Sequence, residues 1–287
     1  MKIEIYGEGD KEIIDRIKEF AKRLDIKADK IYLCFAENQE DVRKYYEKFS
    51  KFEELGELDE GEKEVYEKIS SIPIAGGFLP KDRRKPNVPP VILMIREIAD
   101  EDTLLDEVAH LKEEESGWRE LNVNSLKEAI SFSSWKPYEL FFLHRVSSYI
   151  SNFFADEIKC KYGYSDLVYR EKRHELENIR KGNIPSKEEI KSKIKNGKLD
   201  LKPVEVGLSV SFGTSLPPSF SGDKDQFENE LEKLISPLIE KISQSVSYKE
   251  LKSTVKYIRF PPTKSNLDLA YAKFYNIFDE FLYEVID

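Results

Sequence analysis

TLLDEVAHLKEE, Thr103 to Glu114, is the stretch on which the reading of this chain turns. Residues four apart share a face of a helix, so Asp106 and His110 lie one above the other, with Glu113 on the same side. Leu104, Val108 and Leu111 lie opposite, and Glu107 projects between the two faces. Two polar side chains one turn apart, with a carboxylate beside them, can grip a divalent cation and take a proton from water bound to it. The same pattern also describes an amphipathic surface helix, with His110 paired to Asp106 or Glu107 in solvent.

The flanking sequence sharpens the choice. Upstream, VILMIREI (91–98) is a run of apolar, β-branched character. It is preceded by IPIAGGFLP (72–80) and a proline-bounded basic loop, KDRRKPNVPP (81–90). Two apolar runs around a polar loop predict paired strands. Asp100 or Asp102 is placed to cap the helix that follows. Downstream, PYELFFLHRVSSYISNFFADEIKCKY predicts a second long helix from Pro137 to Tyr162, with Gly163 as its stop. His144, Ser148, Asn152 and Asp156 recur at steps of four along it, a polar stripe through an aromatic helix.

This sequence resembles the zincin metallopeptidases, whose active-site helix carries H-E-x-x-H. Here the motif reads D-E-V-A-H, residues 106 to 110. The strand VILMI, the acidic turn after it and T-L-L-x-E-x-A-H look like the edge strand and active-site helix of that family, and AGGFLP resembles its upstream strand pair. The likeness covers residues 72 to 114 directly and extends to 163 by architecture. It implies Glu107 as general base and His110 as second metal ligand, with Asp106 matching the first ligand by location. In gluzincin-type members a packed second helix gives the third ligand, usually an acid. That implies Asp156, with Glu157 and His144 as alternates. Zinc is the cofactor the family would bring. Asp106 departs from the pattern: one imidazole with two acids makes an oxygen-rich site, less selective for zinc.

The remaining chain adds elements. Strands are expected at Lys2–Tyr6 and Ile31–Phe35, helices at 10–24, 39–54 and 61–70, and an acidic surface link between the last two. From 165 to 200 the chain is highly charged; Arg170 to Lys198 holds ten Lys or Arg against five Glu. VEVGLSVSFGT (204–214) alternates like a strand, and Val255–Phe260 predicts a short one. Helices are expected over 223–244, bent by Pro237, and 265–285, with Leu267, Tyr271, Phe274, Phe278, Phe281 and Val285 forming a core stripe. The fold expected is α+β: a zincin-like domain over 1–165, a charged helical linker over 166–200 and an α/β extension over 201–287.

Composition bounds the function. The net charge is −9, which argues against a dedicated nucleic-acid binder. The basic run 170–198 and the triplet Arg83-Arg84-Lys85 are read as solvated loops balancing an acidic chain. Charged residues make up 35%, against about 25% in ordinary proteins. Lys and Glu supply that excess, and Gln, Met and Cys are scarce, a pattern of heat-adapted proteins. Cys34 and Cys160 sit in apolar settings and read as free thiols in a cytoplasmic, soluble protein. No Ser or Cys nucleophile motif and no phosphate loop is present. A di-iron reading of Glu107-x-x-His110 with Glu171-x-x-His174 fails on the early strands and on the charged run around His174. The expectation is a degenerate zincin-like protein that binds a macromolecular partner. The alternative is a metal-dependent hydrolase with Asp106, His110 and Asp156 as ligands and Glu107 as base.

Overall fold

Five consecutive apolar residues rich in β-branched side chains, Val91-Ile92-Leu93-Met94-Ile95, suit a strand buried on both faces in the interior of a sheet. In the computed structural model, which describes residues 1–51, 76–95, 100–133, 137–182, 202–242 and 248–286, they form β4, and all five are buried. The sheet runs β1-β2-β4-β3. β1 (Lys2–Tyr6) pairs in parallel with β2 (Lys30–Ala36), and β2 with β4, Tyr32 opposite Val91. β3 (Gly76–Leu79) pairs antiparallel with β4, Leu79 opposite Val91. The strand expected at an edge is therefore internal, because both its faces and both its hydrogen-bonding sides are covered. Gly76–Leu79 is the edge on that side instead, and Lys2–Tyr6 the edge on the other.

Helices cover both faces of this sheet. α1 (Lys11–Arg23) begins at Asp10, whose carboxylate accepts from the Glu12 and Ile13 amides. α2 (Gln39–Phe49) is capped by Asn38 and buries Val42 and Phe49 against Cys34, Ala36, Leu79, Val91 and Leu93. The opposite strand positions, Ile31, Leu33, Ile92 and Met94, are fully buried too. The helix expected at 61–70 lies outside the described residues. The loop after β3 is held by a single 3-10 turn, Lys81–Arg83.

α3 (Glu101–Glu115) carries the opening motif and packs against α1 and β3. Asp100 is its cap: its carboxylate accepts from the Thr103 amide at 2.8 Å and the Thr103 hydroxyl at 2.6 Å. Gly117, at φ +74°, ends it in a conformation that disfavours side chains. α4 (Trp118–Phe132), a helix the sequence pattern did not predict, follows at once, and then α5 (Pro137–Lys161).

The chain groups into two compact units that interleave in sequence. One is Met1–Arg119 with Phe154–Tyr162; the other is Glu120–Phe153 with Gly163–Asp287. α5 thus contributes residues to both. Every regular element of the second unit among its described residues is a helix, including α6 (Ser165–Lys181), α7 (Lys202–Gly213), α8 (Lys224–Ile242), α9 (Tyr248–Val255) and α10 (Lys264–Ile286), with Pro237 inside α8. Neither expected strand forms, one lying in a helix and the other in a turn, so among the described residues the C-terminal extension is α rather than α/β. Residues 204–214 belong mostly to α7, where Leu208, Ser209, Val210, Ser211 and Phe212 are all buried. Its hydroxyls are absorbed by the backbone: Ser211 donates to the Gly207 carbonyl, Thr214 to that of Val210. A segment buried on every side shows no helical period, so its alternation imitates a strand. Val255 ends α9, and a turn in which the Ile258 amide donates to the Val255 carbonyl replaces the second strand. Leu267, Tyr271 and Phe274 of the expected stripe are buried. α6 is less solvated than its charge predicts. Lys172 is buried and donates to the Phe212 carbonyl at 2.9 Å.

The candidate functional site

α3 is not an amphipathic surface helix. Its nominally polar face is largely covered: Glu113 is 0% and Glu107 7% exposed, while Asp106 keeps 32% of its side chain in solvent. A carboxylate cannot stay buried without a partner, and each acid on this helix has found one.

His110 sits at the centre. Its Nδ1 donates to Glu113 Oε2 at 2.8 Å, and its Nε2 lies 3.7 Å from Asp106 Oδ2, an ion-pair separation rather than a hydrogen bond. Burial by itself would lower the imidazole pKa. The carboxylates of Asp106 and Glu113 outweigh it and raise the pKa to about 10. His110 is therefore an imidazolium at neutral pH, with a proton on each nitrogen.

The second cation comes from α5. Lys159 is 1% exposed, and its Nζ lies 3.0 Å from Asp106 Oδ1 and 3.1 Å from Asp156 Oδ1. One ammonium thus bridges the two carboxylates that the sequence pattern offered as metal ligands. Burial would raise the pKa of Asp106, but the charges of Lys159 and His110 win and hold it well below the ordinary carboxylate range. Glu107 behaves in the opposite way. Burial pushes its pKa up to about 8, and its one favourable backbone contact is a hydrogen bond from Phe78 on the edge strand β3. At neutral pH it is mostly a neutral acid.

The expected site residues divide as follows. Asp106, His110 and Asp156 are brought together, joined through Lys159 and the Asp106 carboxylate. Glu107 lies on the same helix and is turned to β3. Glu157 is buried one position along α5. His144 falls in the second unit, where its carbonyl accepts from the Ser148 hydroxyl. Ser148 and Asn152 are exposed, so the polar stripe on α5 is mostly a solvent face, and Asp156 is the member that meets the cluster. Sequence reasoning missed Lys159. Its signal was present: a lysine between Ile158 and Cys160, three residues after Asp156, where an i,i+3 pair must form.

These residues do not fit a divalent metal. The carboxylate oxygens that would approach the ion already face an ammonium. Among the described residues no group of three or more His, Cys, Asp or Glu is arranged to hold a metal ion.

In the basic loop Lys81 and Arg83 are exposed, as expected, but Arg84 is structural rather than solvated. Arg84 is buried, donates to the Leu79 carbonyl at 3.0 Å and pairs with Glu114 at 2.7 Å. Lys85 donates to the carbonyls of Glu47 and Lys48. Elsewhere, the second unit has an open cavity of about 350 Å³, lined by Glu128, Phe132, Asp268 and Tyr271 among others. Its two acids share the Lys264 ammonium. Among the described residues, no helix is long and apolar enough to cross a membrane. The chain matches no protein-family model, no curated protein and no solved structure.

Proposed function

We propose that the chain is a zincin-like scaffold without metal chemistry, and that it acts by binding a macromolecular partner rather than by hydrolysing peptides. The observation that carries this reading is the Lys159 ammonium set between Asp106 and Asp156. A buried cation at that place repels a second one.

The test is the metal content of full-length protein purified without chelators. The expected result is no stoichiometric zinc and no change of melting temperature on adding Zn²⁺. About one zinc per chain, lost in His110→Ala, would overturn this reading and support the hydrolase instead. In a strain lacking the gene, Glu107→Gln is expected to restore function as fully as the parent sequence. A folded Glu107→Gln protein that fails to do so would again favour hydrolysis.

A further inference from the structure

The cavity of the second unit opens between α4 and α10. Part of its wall is acidic. Glu128 of α4 and Asp268 of α10 face one ammonium, that of Lys264, with Asp268 Oδ2 at 2.8 Å. A single ammonium between two carboxylates leaves an excess negative charge there. Asp268 Oδ1 is buried and, among the described residues, accepts no hydrogen bond. A buried acceptor left unmatched calls for a donor that the fold itself does not supply. The rest of the wall is apolar and aromatic: Ala129 and Phe132 from α4, Ala272 and Tyr275 from α10. Phe132 follows Glu128 by one helical turn and Tyr275 follows Asp268 by two, so the rings lie further along the same faces. The alanines keep the space between the helices open. Phe132 is 82% exposed, and such a ring attracts a cation to its face.

We infer that this cavity binds a small organic cation, an ammonium on an apolar or aromatic stem, with the ammonium against Asp268 and Glu128 and the stem beside the alanines and the rings of Phe132 and Tyr275. The size agrees. The cavity holds about 350 Å³, and at about 30 Å³ per water in the liquid that is room for about a dozen water-sized groups. The chain also displays the recognition it offers, since Lys264 is itself an alkylammonium taken by both carboxylates. That side chain is 44% exposed, and exposed ion pairs are weak, so an incoming cation competes with a loosely held one. An anion would meet two carboxylates, and a neutral ligand would leave their excess charge uncompensated. A free amine and a lysine side chain of a partner present the same chemistry. The inference is independent of the α3 cluster and of the functional reading drawn from it.

The experiment titrates phenethylamine into the full chain at neutral pH by calorimetry, with phenethyl alcohol as its neutral counterpart. The expected result is saturable binding at a single site, at least about tenfold tighter for the amine than for the alcohol. The double variant Asp268→Asn, Glu128→Gln should weaken the amine by about tenfold or more and bring it level with the alcohol. Phe132→Ala should weaken it about threefold. Lys264→Gln removes the competing ammonium and should tighten the amine by about fivefold. Absence of saturable binding, equal binding of amine and alcohol, or undiminished amine binding in the double variant overturns the inference. If the double variant fails to fold, judged by circular dichroism, Lys264→Gln decides: tighter binding supports the inference, and weaker or unchanged binding overturns it. A lysine-bearing peptide used as competitor then separates the sources. Displacement of phenethylamine assigns the cation to a partner's side chain, and lack of displacement assigns it to a free amine; the class of ligand stands in both.

Discussion

Lys159 has 2% of its side chain in contact with solvent, so its charge is neutralised by protein. Replacing it with the apolar, similarly long methionine leaves Asp106 and Asp156 facing each other without the cation. Breaking a buried pair in this way costs about 3–5 kcal/mol, and urea denaturation of Lys159→Met in metal-free buffer should show a loss of that order. The pH dependence of stability is set by the neighbours. His110 has its pKa raised from 6.5 to about 10 on folding. The stability it contributes is fully present below about pH 6.5 and is lost as pH rises through about 10. Glu107 goes from 4.5 to about 8. It must take up a proton to fold, so it too makes stability fall with rising pH, between about 4.5 and 8. Asp106, with its pKa lowered, works at the acid end: its contribution is present above its ordinary 3.8 and is lost as pH falls toward its folded value. These signs place the stability maximum in mildly acidic solution, which urea midpoints measured from pH 4 to 10 will check. Glu107→Gln should flatten the fall between pH 5 and 8 and gain on the order of 3 kcal/mol at pH 8.

At the scale of elements, α3 rests on its cap. Asp100→Ala removes the acceptor for the Thr103 amide and hydroxyl, and should cost about 1 kcal/mol in thermal or urea unfolding. This cap was legible in the sequence, as were the bounds of α3 and α5. Each is a long periodic segment with Asp, Pro or Gly at its ends, and such punctuation is local chemistry. The strand pair β3–β4 was legible for the same reason. What was not legible has one cause in each place. α7 is buried all round, so it carried no helical period. The inner position of β4 depends on β2, whose partner is set by the crossover and not by any residue of VILMI. Lys159 was passed over because a lysine reads as surface, although burial among carboxylates is where a lysine finds compensation. The motif residues were located correctly on one face. The chemistry of that face was decided by a side chain 53 positions from Asp106, which spacing within the motif cannot announce.

Across the molecule, the two cysteines report on the integrity of the sheet-bearing unit. Cys34 lies in β2 and Cys160 in α5, both buried and neither in a disulfide. Burial pushes the Cys34 thiol pKa up to about 12, and the thiolate is the species that reacts. Native protein should resist maleimide or disulfide reagents at pH 7.5 at both positions, and both thiols should label together on crossing the urea transition. Fast labelling of Cys34 in native buffer would show that the sheet opens locally. In the second unit, the Tyr271 hydroxyl donates to Asn122 Oδ1 while Asn122 donates to the Ser147 carbonyl. Tyr271→Phe orphans a buried acceptor and should cost about 1–3 kcal/mol, read as a shift in the denaturation midpoint.

Three adjacent glutamates end α3, at the pole of the helix dipole that disfavours negative charge. Each goes somewhere different. Glu113 turns inward to His110, Glu114 holds Arg84 and the Lys81 amide, and Glu115 accepts from the amides of Lys27 and Ala28. Their three directions are fixed by the helical rotation of about 100° per residue. Inserting or deleting a single residue between His110 and Glu113 would swing all three carboxylates off their partners at once. Evolution can therefore exchange letters along this helix far more easily than it can change the number of them, and its length should be the most rigidly kept dimension of the chain.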